Sequence, residues 1–405
     1  MTLPVVGIFL ENLHGGGAEK LTVVIANALA ARGYPIEMLL WEATGTHIDS
    51  LSPQVKIINL SEQGRASPFR VLAALMRYLR DRPPAVFFTH LERPSLLGIV
   101  ASWFVGYRHI VPCVHVDFNG YAMIDYRTRR TFLKYLVAFF YRFTDAILAV
   151  SDGAGRSVRK LVGKRPRIFV VKNGFDFDRL RHDMAAAIDF PWLNNKDAPV
   201  FVGCGRLVPQ KEFDVLLRAF AAVRRRQAAR LIILGEGPQR HRLEALARQL
   251  GVEGDVAMPG YMQNPMAWFS RSDVFVLSSK VEGFGNVLIE ALFAGMEVAS
   301  TDCLSGPSEI LQDGQYGDLV KVGDVKGMAD AMGNALDRRK TRAEDHAAQL
   351  NAYLKDNYAI SNMIDGYLHL IEEIAAEPVG VGSRGRPGAA AAAMMGKAIL
   401  MLFRT

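Results

Sequence analysis

The chain has 405 residues, 50% of them hydrophobic and 22% charged, with a formal net charge of +7. This size and balance are typical of a globular protein with two domains. Three scattered cysteines without CxxC spacing exclude a disulfide framework and a structural zinc site, and favour a reducing cytosol. We expect neither a signal peptide nor a membrane-spanning helix, because the apolar runs are too short for either.

The charge is unevenly distributed along the chain. Residues 1–190 carry 24 Lys and Arg against 16 Asp and Glu, a net charge of +8, whereas the remainder carries a net charge of −1. An excess of cations attracts anionic partners. We therefore expect the first half of the chain to contact an anionic partner.

In chain order, the first half alternates short apolar runs with helical patterns. The first run, Pro4–Leu10, precedes the glycine loop His14–Gly17 and a predicted helix, Ala18–Ala31. The further predicted strands are Glu37–Trp41, Val55–Leu60, Ala85–Thr89, His109–Val114, Ala146–Val150 and Ile168–Val171. Strands that alternate with helices form a parallel sheet with helices on both faces.

The same alternation starts again after the polar segment Asn194–Asp197. The strands predicted there are Val200–Gly203, Arg230–Leu234, Val256–Met258, Val274–Leu277 and Glu297–Ser300. We therefore predict an α/β protein with two doubly wound, Rossmann-like parallel sheets that face each other across a cleft. Ligands of such sheets bind at the carboxyl ends of the strands.

This pattern also predicts the domain limits. Residues 1–175 form the N-terminal domain, 176–198 a linker and 199–358 the C-terminal domain. Residues 359–376 form a helix that crosses back to the N-terminal domain. Residues 377–405 are a tail of linker-like composition followed by an apolar run, and we interpret this tail as disordered. The alternative is that the apolar run lies on a membrane surface.

The segment EGFGNVLIEALFAG, residues 282–295, places a glutamate in a helix that is otherwise apolar. Asn286 is the predicted N-cap, and the Gly-Phe-Gly ahead of it lets backbone N–H groups approach a phosphate at the positive end of the helix. Glu282 in the loop and Glu290 in the helix can then bind vicinal hydroxyls of one ligand. Alternatively, Glu290 is a core residue bonded to backbone N–H groups and Glu282 is a solvated loop residue.

A second polar loop follows the predicted strand Val200–Gly203. It carries Arg206 and Lys211 ahead of a helix that begins near Glu212. A planar guanidinium and a point-like ammonium together suit a diphosphate. The alternative is an ordinary solvated loop.

These two segments belong to a series of five in a characteristic order. The others are LIILGEGPQRHRLEALARQLG, VFVLSSKVEGFGNV and STDCLSGPSEIL, and NGFDFDRL and HGGGAEK add weaker matches. The chain resembles the retaining glycosyltransferases of family 4, whose E-x7-E motif corresponds to EGFGNVLIEAL. The resemblance covers most of residues 1–375. It implies the GT-B fold and the transfer of a hexosyl unit from a UDP- or GDP-sugar, with the first domain on the acceptor side and the second on the donor side.

The resemblance assigns roles to residues of the second domain. Arg206 and Lys211 match the pair that holds the donor diphosphate. Glu290 matches the glutamate on the ribose hydroxyls, and Glu282 the one that faces the donor sugar. The residues whose backbone would surround the sugar and phosphate are Phe284, Gly285, Asn286 and Val287.

Two residues of the first domain complete the predicted site. Gly16 matches the loop glycine that lets the first domain close on the phosphates. His115 matches a histidine that reaches the donor sugar near the transferred carbon, so His115 and Glu282 are the predicted catalytic residues. His90, at the end of a predicted strand, is an alternative to His115, and a purely structural role is open for His115.

The resemblance implies a reaction without a metal or cofactor. Cationic side chains and a helix N-terminus would stabilise the departing nucleoside diphosphate. A carboxylate or histidine would stabilise the oxocarbenium-like sugar while the acceptor attacks from the same face. The one DxD pattern, Asp176-Phe177-Asp178, would hold a divalent ion in a metal-dependent transferase, but it falls in the predicted linker.

The stretch RTRRTFLKYLVAFFYRF, residues 127–143, predicts an amphipathic helix with flanking arginines and lysine. Such helices lie in anionic membrane interfaces. The alternative is a core-facing helix with solvated cations. We favour peripheral contact with the inner face of the plasma membrane, from the cytoplasm. The residues of its apolar face are Phe132, Leu136, Phe139, Phe140 and Phe143.

A membrane-bound transferase would take a lipid-linked or glycan acceptor in the synthesis of cell-surface polysaccharide or lipopolysaccharide. No nucleic-acid motif accompanies the basic residues, so we expect no nucleic-acid partner. Two alternatives stay open. One is a nucleotide-sugar epimerase on the same fold, and the other is a non-catalytic paralogue that binds glycans or lipids.

Overall fold

The computed structural model describes residues 3–14, 16–61, 67–118, 120, 136–341 and 344–377. These residues form two compact units. The first contains the described residues up to 173 together with 361–377, and the second contains those from 174 to 360. Each unit is built on its own parallel sheet, so the predicted α/β class with two doubly wound sheets is confirmed.

The two sheets contain thirteen strands among the described residues. Their bounds are β1 Val6–Leu10, β2 Ile36–Leu40, β3 Val55–Asn59, β4 Val86–His90, β5 Ile110–Val114, β6 Ala146–Ala149, β7 Arg167–Val170, β8 Val200–Cys204, β9 Arg230–Leu234, β10 Val256–Gly260, β11 Val274–Leu277, β12 Glu297–Thr301 and β13 Asp318–Val320.

Helices connect most of these strands. Their bounds are α1 Gly17–Ala31, α2 Pro68–Asp81, α3 Glu92–Val105, α4 Asp152–Val162, α5 Phe177–Met184, α6 Pro191–Asn194, α7 Phe213–Arg224, α8 Arg240–Gln249, α9 Met266–Phe269, α10 Asn286–Phe293, α11 Pro307–Ile310, α12 Val325–Thr341, α13 Glu344–Tyr358 and α14 Ile360–Ala375. Residues 136–141 are also helical.

The first unit has the strand order β3-β2-β1-β4-β5-β6-β7. The chain builds outward from β1 to β3 and then returns to the other side of β1 with β4, so the order reverses between β1 and β4. Both strands are completely buried, as expected for the centre of a parallel sheet covered on both faces. Ligands of doubly wound sheets bind at such a reversal.

The second unit repeats this arrangement with the order β10-β9-β8-β11-β12-β13. Here the order reverses between β8 and β11. Its core is formed by apolar side chains of these strands and of α7 and α12, with Phe201, Leu216 and Met332 fully buried. The loops that follow β8 and β11 therefore leave the sheet side by side.

Helix α14 packs within the first unit although it lies far along the chain. The ring of Tyr367 contacts that of Phe88 with centroids 5.2 Å apart. Glu373 forms an ion pair with Arg167 at 2.7 Å. Tyr367 is buried, so this helix contributes to the apolar core rather than lying loosely on its surface.

The structure corrects two expectations about the helices. Asn286 is the first residue of α10 and not its N-cap, because Gly285 at φ 94° precedes the helix. In the stretch predicted to contact a membrane, Leu136 and Phe140 are buried in the core of the first unit, as the alternative interpretation predicted for them. Residues 127–135 and the tail 378–405 lie outside the described residues.

Candidate active site

The site predicted in the second unit is centred on an ion pair between two loops. Lys211 Nζ lies 2.6 Å from Glu282 Oε1. Lys211 follows β8 and Glu282 follows β11, so the pair stands where the strand order reverses. The two side chains are only 18% and 11% exposed, and this shielding from water strengthens their attraction.

Neighbouring hydroxyls fix the position of Glu282. Ser279 Oγ donates a hydrogen bond of 2.6 Å to the same carboxylate oxygen that receives Lys211. The carbonyl of Ser279 in turn accepts a hydrogen bond of 2.7 Å from Thr301 Oγ1, at the end of β12. A buried carboxylate held by two donors has one orientation, so Glu282 is not the solvated loop residue of the alternative interpretation.

Further hydrogen bonds join the two loops. Ser278 Oγ donates to the carbonyl of Lys211 at 2.7 Å, and Gln210 Nε2 donates to the carbonyl of Val281 at 2.7 Å. Lys280 pairs with Glu212 at 3.0 Å. The loops after β8 and β11 are therefore joined to each other at several points, while the Lys211 ammonium itself is held by Glu282.

The glycine-rich turn before α10 exposes backbone rather than side chains. The ring of Phe284 is buried against that of Tyr358 with centroids 5.7 Å apart, which leaves only its backbone for a ligand. Gly285 turns the chain through φ 94° into the helix, and Asn286 and Val287 follow half-buried. Glu290, also half-buried, lies in the second turn of α10.

A third loop packs against this turn. Gly306, at φ 97°, follows β12, and a Cβ atom added there would overlap the carbonyl oxygen of Phe284 and lie 3.0 Å from its Cα. Only glycine permits both this backbone angle and this close approach. The sequence contains Gly306 in the STDCLSGPSEIL segment, but the pattern alone does not show which loop it supports.

Arg206 lies in the same loop as Lys211 and is exposed. The backbone of this loop is packed tightly beneath it. Gly205 donates a hydrogen bond to the carbonyl of Leu234, and a Cβ atom added at Gly235 would overlap the carbonyl oxygen of Gly205. The carboxyl ends of β8 and β9 are therefore in close backbone contact, and the Arg206 side chain is exposed beside them.

In the first unit, the predicted residues follow β1 and β5, beside the reversal of strand order between β1 and β4. Gly16 precedes α1 with an extended backbone, and a Cβ atom added there would overlap the Glu19 carboxylate. His115 follows β5, and its Nε2 lies 2.9 Å from Nδ1 of His90, the last residue of β4. The two histidines that the sequence offered as alternatives are thus direct partners.

The DxD pattern has a structural explanation. Asp176 is the N-cap of α5, and its carboxylate accepts a hydrogen bond of 3.0 Å from the backbone N–H of Arg179. Across the part of the chain that the structure describes, no three His, Cys, Asp or Glu residues are grouped as metal ligands. A reaction without a metal stays a prediction.

The structure thus brings some of the predicted residues together and leaves others apart. Lys211 meets Glu282, whereas Arg206 and Glu290 occupy separate positions on the loop and helix of the same unit. Sequence reasoning missed Ser279, and its only signal was the Ser-Ser pair that directly follows β11, with Ser279 three residues before Glu282.

Comparison with known proteins gives consistent results for both units. A family model described as "Glycosyltransferase Family 4" matches residues 15–179, and one described as "Glycosyl transferases group 1" matches residues 185–351. The lipopolysaccharide core biosynthesis glycosyltransferase LpsE of Rhizobium meliloti (strain 1021) is 31% identical over 356 residues, which cover 88% of this chain and 96% of that protein.

A second relative comes from Campylobacter jejuni. It is named N-acetylgalactosamine-N,N'-diacetylbacillosaminyl-diphospho-undecaprenol 4-alpha-N-acetylgalactosaminyltransferase and is 26% identical over 384 residues, 89% of this chain and 98% of that protein. Among solved structures, HepE of Anabaena in complex with UDP and glucose superposes with a TM-score of 0.76 at 17% identity, covering 91% of this chain and 100% of HepE. At that identity the likeness shows the fold alone.

Two Rossmann-like parallel sheets with this likeness define the GT-B fold. The chain belongs to the glycosyltransferases of family 4 and group 1. The family resemblance and the GT-B fold predicted from the sequence are therefore confirmed.

Proposed function

We propose that the protein is a retaining hexosyltransferase that moves a sugar from a UDP- or GDP-sugar to a lipid-linked glycan in the synthesis of cell-surface lipopolysaccharide or glycolipid. The observation that carries this proposal is the Lys211–Glu282 pair, which sets a fixed cation and a fixed carboxylate side by side where β8 and β11 end. The names of the relatives in Rhizobium and Campylobacter support the acceptor class.

The donor diphosphate would bind between the two loops. Lys211 has three N–H donors and uses one on Glu282, so two stay available for phosphate oxygens. Arg206 adds an exposed guanidinium, and the N-terminus of α10 adds backbone N–H groups and its positive dipole. Glu290 would accept hydrogen bonds from the ribose hydroxyls.

Transfer breaks the bond between the anomeric carbon of the sugar and the β-phosphate oxygen. The negative charge that develops on the leaving nucleoside diphosphate is stabilised by Lys211, whose ammonium is already held beside Glu282, and by the exposed guanidinium of Arg206. Glu282 faces the positive charge that develops on the sugar ring. The acceptor oxygen forms the new bond on the same face, and its proton goes to the departing phosphate.

Peripheral membrane contact would place the enzyme beside a lipid-borne acceptor at the cytoplasmic face of the membrane. An aromatic cluster of the first unit supports this proposal. Trp103 stacks on Phe143 with ring centroids 5.9 Å apart, Phe139 contacts Phe143 at 5.1 Å, and Phe104 is 44% exposed. The nearby cations Arg108 and Arg142 are exposed, as suits an anionic interface.

None of the helices placed in the structure combines the length and the hydropathy that crossing a bilayer requires. The contact we propose is surface insertion by the aromatic cluster. It replaces the insertion of Leu136 and Phe140, which are buried in the core. The roles of Gly16 and His115 towards the donor stay predictions from the family resemblance.

The proposal is tested by measuring nucleotide release from a panel of UDP- and GDP-sugars. Each donor is tested alone, with vesicles of an anionic phospholipid, and with a lipid extract from the host. We expect one donor to be consumed, faster with the extract than with vesicles alone, because only the extract supplies an acceptor. Conversion of a donor to its epimer without nucleotide release, or nucleotide binding without any turnover, would contradict the proposal and favour the epimerase or the binding protein.

Replacement of Glu290 by alanine should weaken binding of the donor nucleotide by roughly 1.5–3 kcal/mol, the usual contribution of hydrogen bonds to a charged group. The fold should survive, because the side chain is only half-buried. Calorimetric titration with the nucleotide and urea unfolding measure the two effects. Glu253→Ala, at an exposed glutamate of the same unit, is the control. If Glu290→Ala unfolds the protein while leaving affinity intact in the folded fraction, Glu290 is a core residue.

A further inference from the structure

His90 lies at the reversal of strand order in the first unit and makes two polar contacts there. It is the last residue of β4 and is fully buried. Its Nδ1 lies 3.2 Å from Thr22 Oγ1 on α1 and 2.9 Å from His115 Nε2, just after β5. Its other ring nitrogen, Nε2, is buried without a partner among the described residues. Three elements thus place a hydroxyl and two imidazoles in one chain of hydrogen bonds.

The hydrogen bonds of Thr22 determine which nitrogen of His90 carries the proton. The hydroxyl of Thr22 donates its single proton to the carbonyl of Ala18, one helical turn earlier, at 2.8 Å. It can therefore only accept from His90. Nδ1 of His90 must be the donor, which leaves a lone pair on the buried Nε2. The opposite arrangement would bury an N–H group without an acceptor, and orphaned N–H groups are rare in proteins.

The proton on His90 then determines the state of His115. His90 Nδ1 carries a single proton, which Thr22 Oγ1 and His115 Nε2 share as acceptors, because two protonated nitrogens would not approach to 2.9 Å. The proton of neutral His115 must therefore be on Nδ1. Burial lowers the pKa of His90 well below its ordinary value, with a further contribution from His115, and burial lowers the pKa of His115 to about 4. Both rings are therefore neutral at pH 7, and the tautomer of His115 is set by its neighbour.

We propose that His90 is a positioning residue that holds His115 as the neutral tautomer protonated on Nδ1, so that His115 presents an N–H donor rather than a lone pair at that nitrogen. In this arrangement His115 carries no positive charge, and its Nδ1 already bears a proton and cannot accept another. It therefore does not act as a general base, and the charge of the oxocarbenium-like sugar falls to a carboxylate. The catalytic consequence rests on the proposed function, whereas the placement of the protons does not.

The proton placement is tested by heteronuclear NMR of the full chain labelled with [15N]histidine, in which the two ring tautomers give different nitrogen shifts. We expect His115 of the wild type to show the tautomer protonated on Nδ1 at pH 7. Thr22→Val removes one acceptor of His90 Nδ1–H with little change in shape, while the buried Nε2 of His90 still favours the proton on Nδ1. The fraction of His115 protonated on Nδ1 should therefore fall in Thr22→Val. Thr22→Ser keeps the hydroxyl and should restore the wild-type spectrum.

A second variant addresses His90 directly. His90→Leu removes the donor to His115, and the Nδ1-protonated form of His115 should lose its predominance. Because His90 is fully buried, unfolding is measured in parallel, and the Thr22 pair decides the question if His90→Leu does not fold. A wild-type His115 protonated on Nε2, or a spectrum of His115 that is the same in Thr22→Val, would overturn the proposal.

The consequence for catalysis is measured with the donor identified by the release assay. Thr22→Val should lower kcat roughly tenfold, the usual effect of losing one well-placed hydrogen bond, with little change in KM. Thr22→Ser should recover most of this loss. A positioning role is supported if kcat and the Nδ1-protonated fraction of His115 fall together in Thr22→Val and return together in Thr22→Ser. A fall in kcat that Thr22→Ser does not reverse, or wild-type kcat in Thr22→Val, contradicts it. If no donor is consumed, the NMR result still stands by itself.

Discussion

Lys211→Met should lower kcat for sugar transfer by about 10²–10³-fold, the range seen when one preorganised donor to a developing anion is removed. The methionine fills a similar volume, so the change removes the charge that would meet the leaving diphosphate. It also leaves the Glu282 carboxylate buried without its cation, with Ser279 Oγ still donating to it. Stability should therefore fall by about 1–3 kcal/mol. Nucleotide release and urea unfolding measure the two effects separately.

The double variant Lys211→Met/Glu282→Gln distinguishes the loss of stability, caused by the unpaired Glu282 carboxylate, from the loss of transfer, caused by the missing Lys211 ammonium. The neutral glutamine side chain no longer needs a cation, so stability should return towards that of the wild type while transfer stays lost. Lys280→Met is the matched control, because it breaks the neighbouring pair with Glu212 without touching the proposed diphosphate site. It should lose stability but keep most of its kcat. Substantial transfer by Lys211→Met would remove Lys211 from the site.

Gly306→Ala should lower kcat/KM for transfer by about 10²-fold. The added methyl group would overlap the carbonyl oxygen of Phe284, so the turn that contains Glu282 and Gly285 must shift. A displacement of about 1 Å at a reacting centre is enough for a loss of this size. Kinetics over a range of donor concentrations show the loss, and a structure of the variant would show the displaced turn.

Gly323→Ala is the control for backbone strain. Gly323 has a similar backbone angle, φ 78° against 97°, but no atom lies within 4 Å of its added Cβ. Both variants place a side chain in the left-handed region, which costs about 1–2 kcal/mol. Only Gly306→Ala also displaces the turn. Equal losses of activity in the two variants would attribute the effect to strain alone, and Gly306 would then have no special role in the site.

The strands could be predicted from the sequence because most are buried on both faces. Continuous apolar runs such as those of β4 and β11 leave little choice of position, and the predicted limits differ from the observed ones by at most two residues. The exception is β13, Asp318–Val320, which was not predicted. It has three half-buried residues and only one neighbouring strand, so no apolar run marks it.

The contacts of the site were harder to predict than its residues. Lys211 and Glu282 are 71 positions apart, and the sequence assigned them to different parts of one ligand. Their direct pairing follows from the order β8-β11 in the sheet, which the sequence does not state. Likewise, His90 and His115 were treated as alternatives, because a sequence shows that two histidines end neighbouring strands but not that their rings meet.

The aromatic stretch illustrates a different limit. Its apolar residues at helical spacing suit a core and a membrane equally well, since both exclude water. The structure distinguishes them residue by residue, with Leu136 and Phe140 buried and Phe139 and Phe143 at the boundary. The helical spacing shows which side of the helix is apolar, but it does not show whether the protein core or a membrane covers that side.

The placement of α14 has a consequence for how the chain folds during synthesis. This helix contributes three buried residues to the interior of the first unit, Tyr367, Leu370 and Ile371. All strands of that unit have been synthesised by residue 170. A ribosome therefore releases all the strands of this unit, and then the whole of the second unit, before it supplies the helix. Vectorial synthesis usually lets the first-made domain fold first. Here the second unit is synthesised completely before the first unit has received its last helix. The apolar surface that this helix covers must therefore stay soluble until residue 377 has emerged.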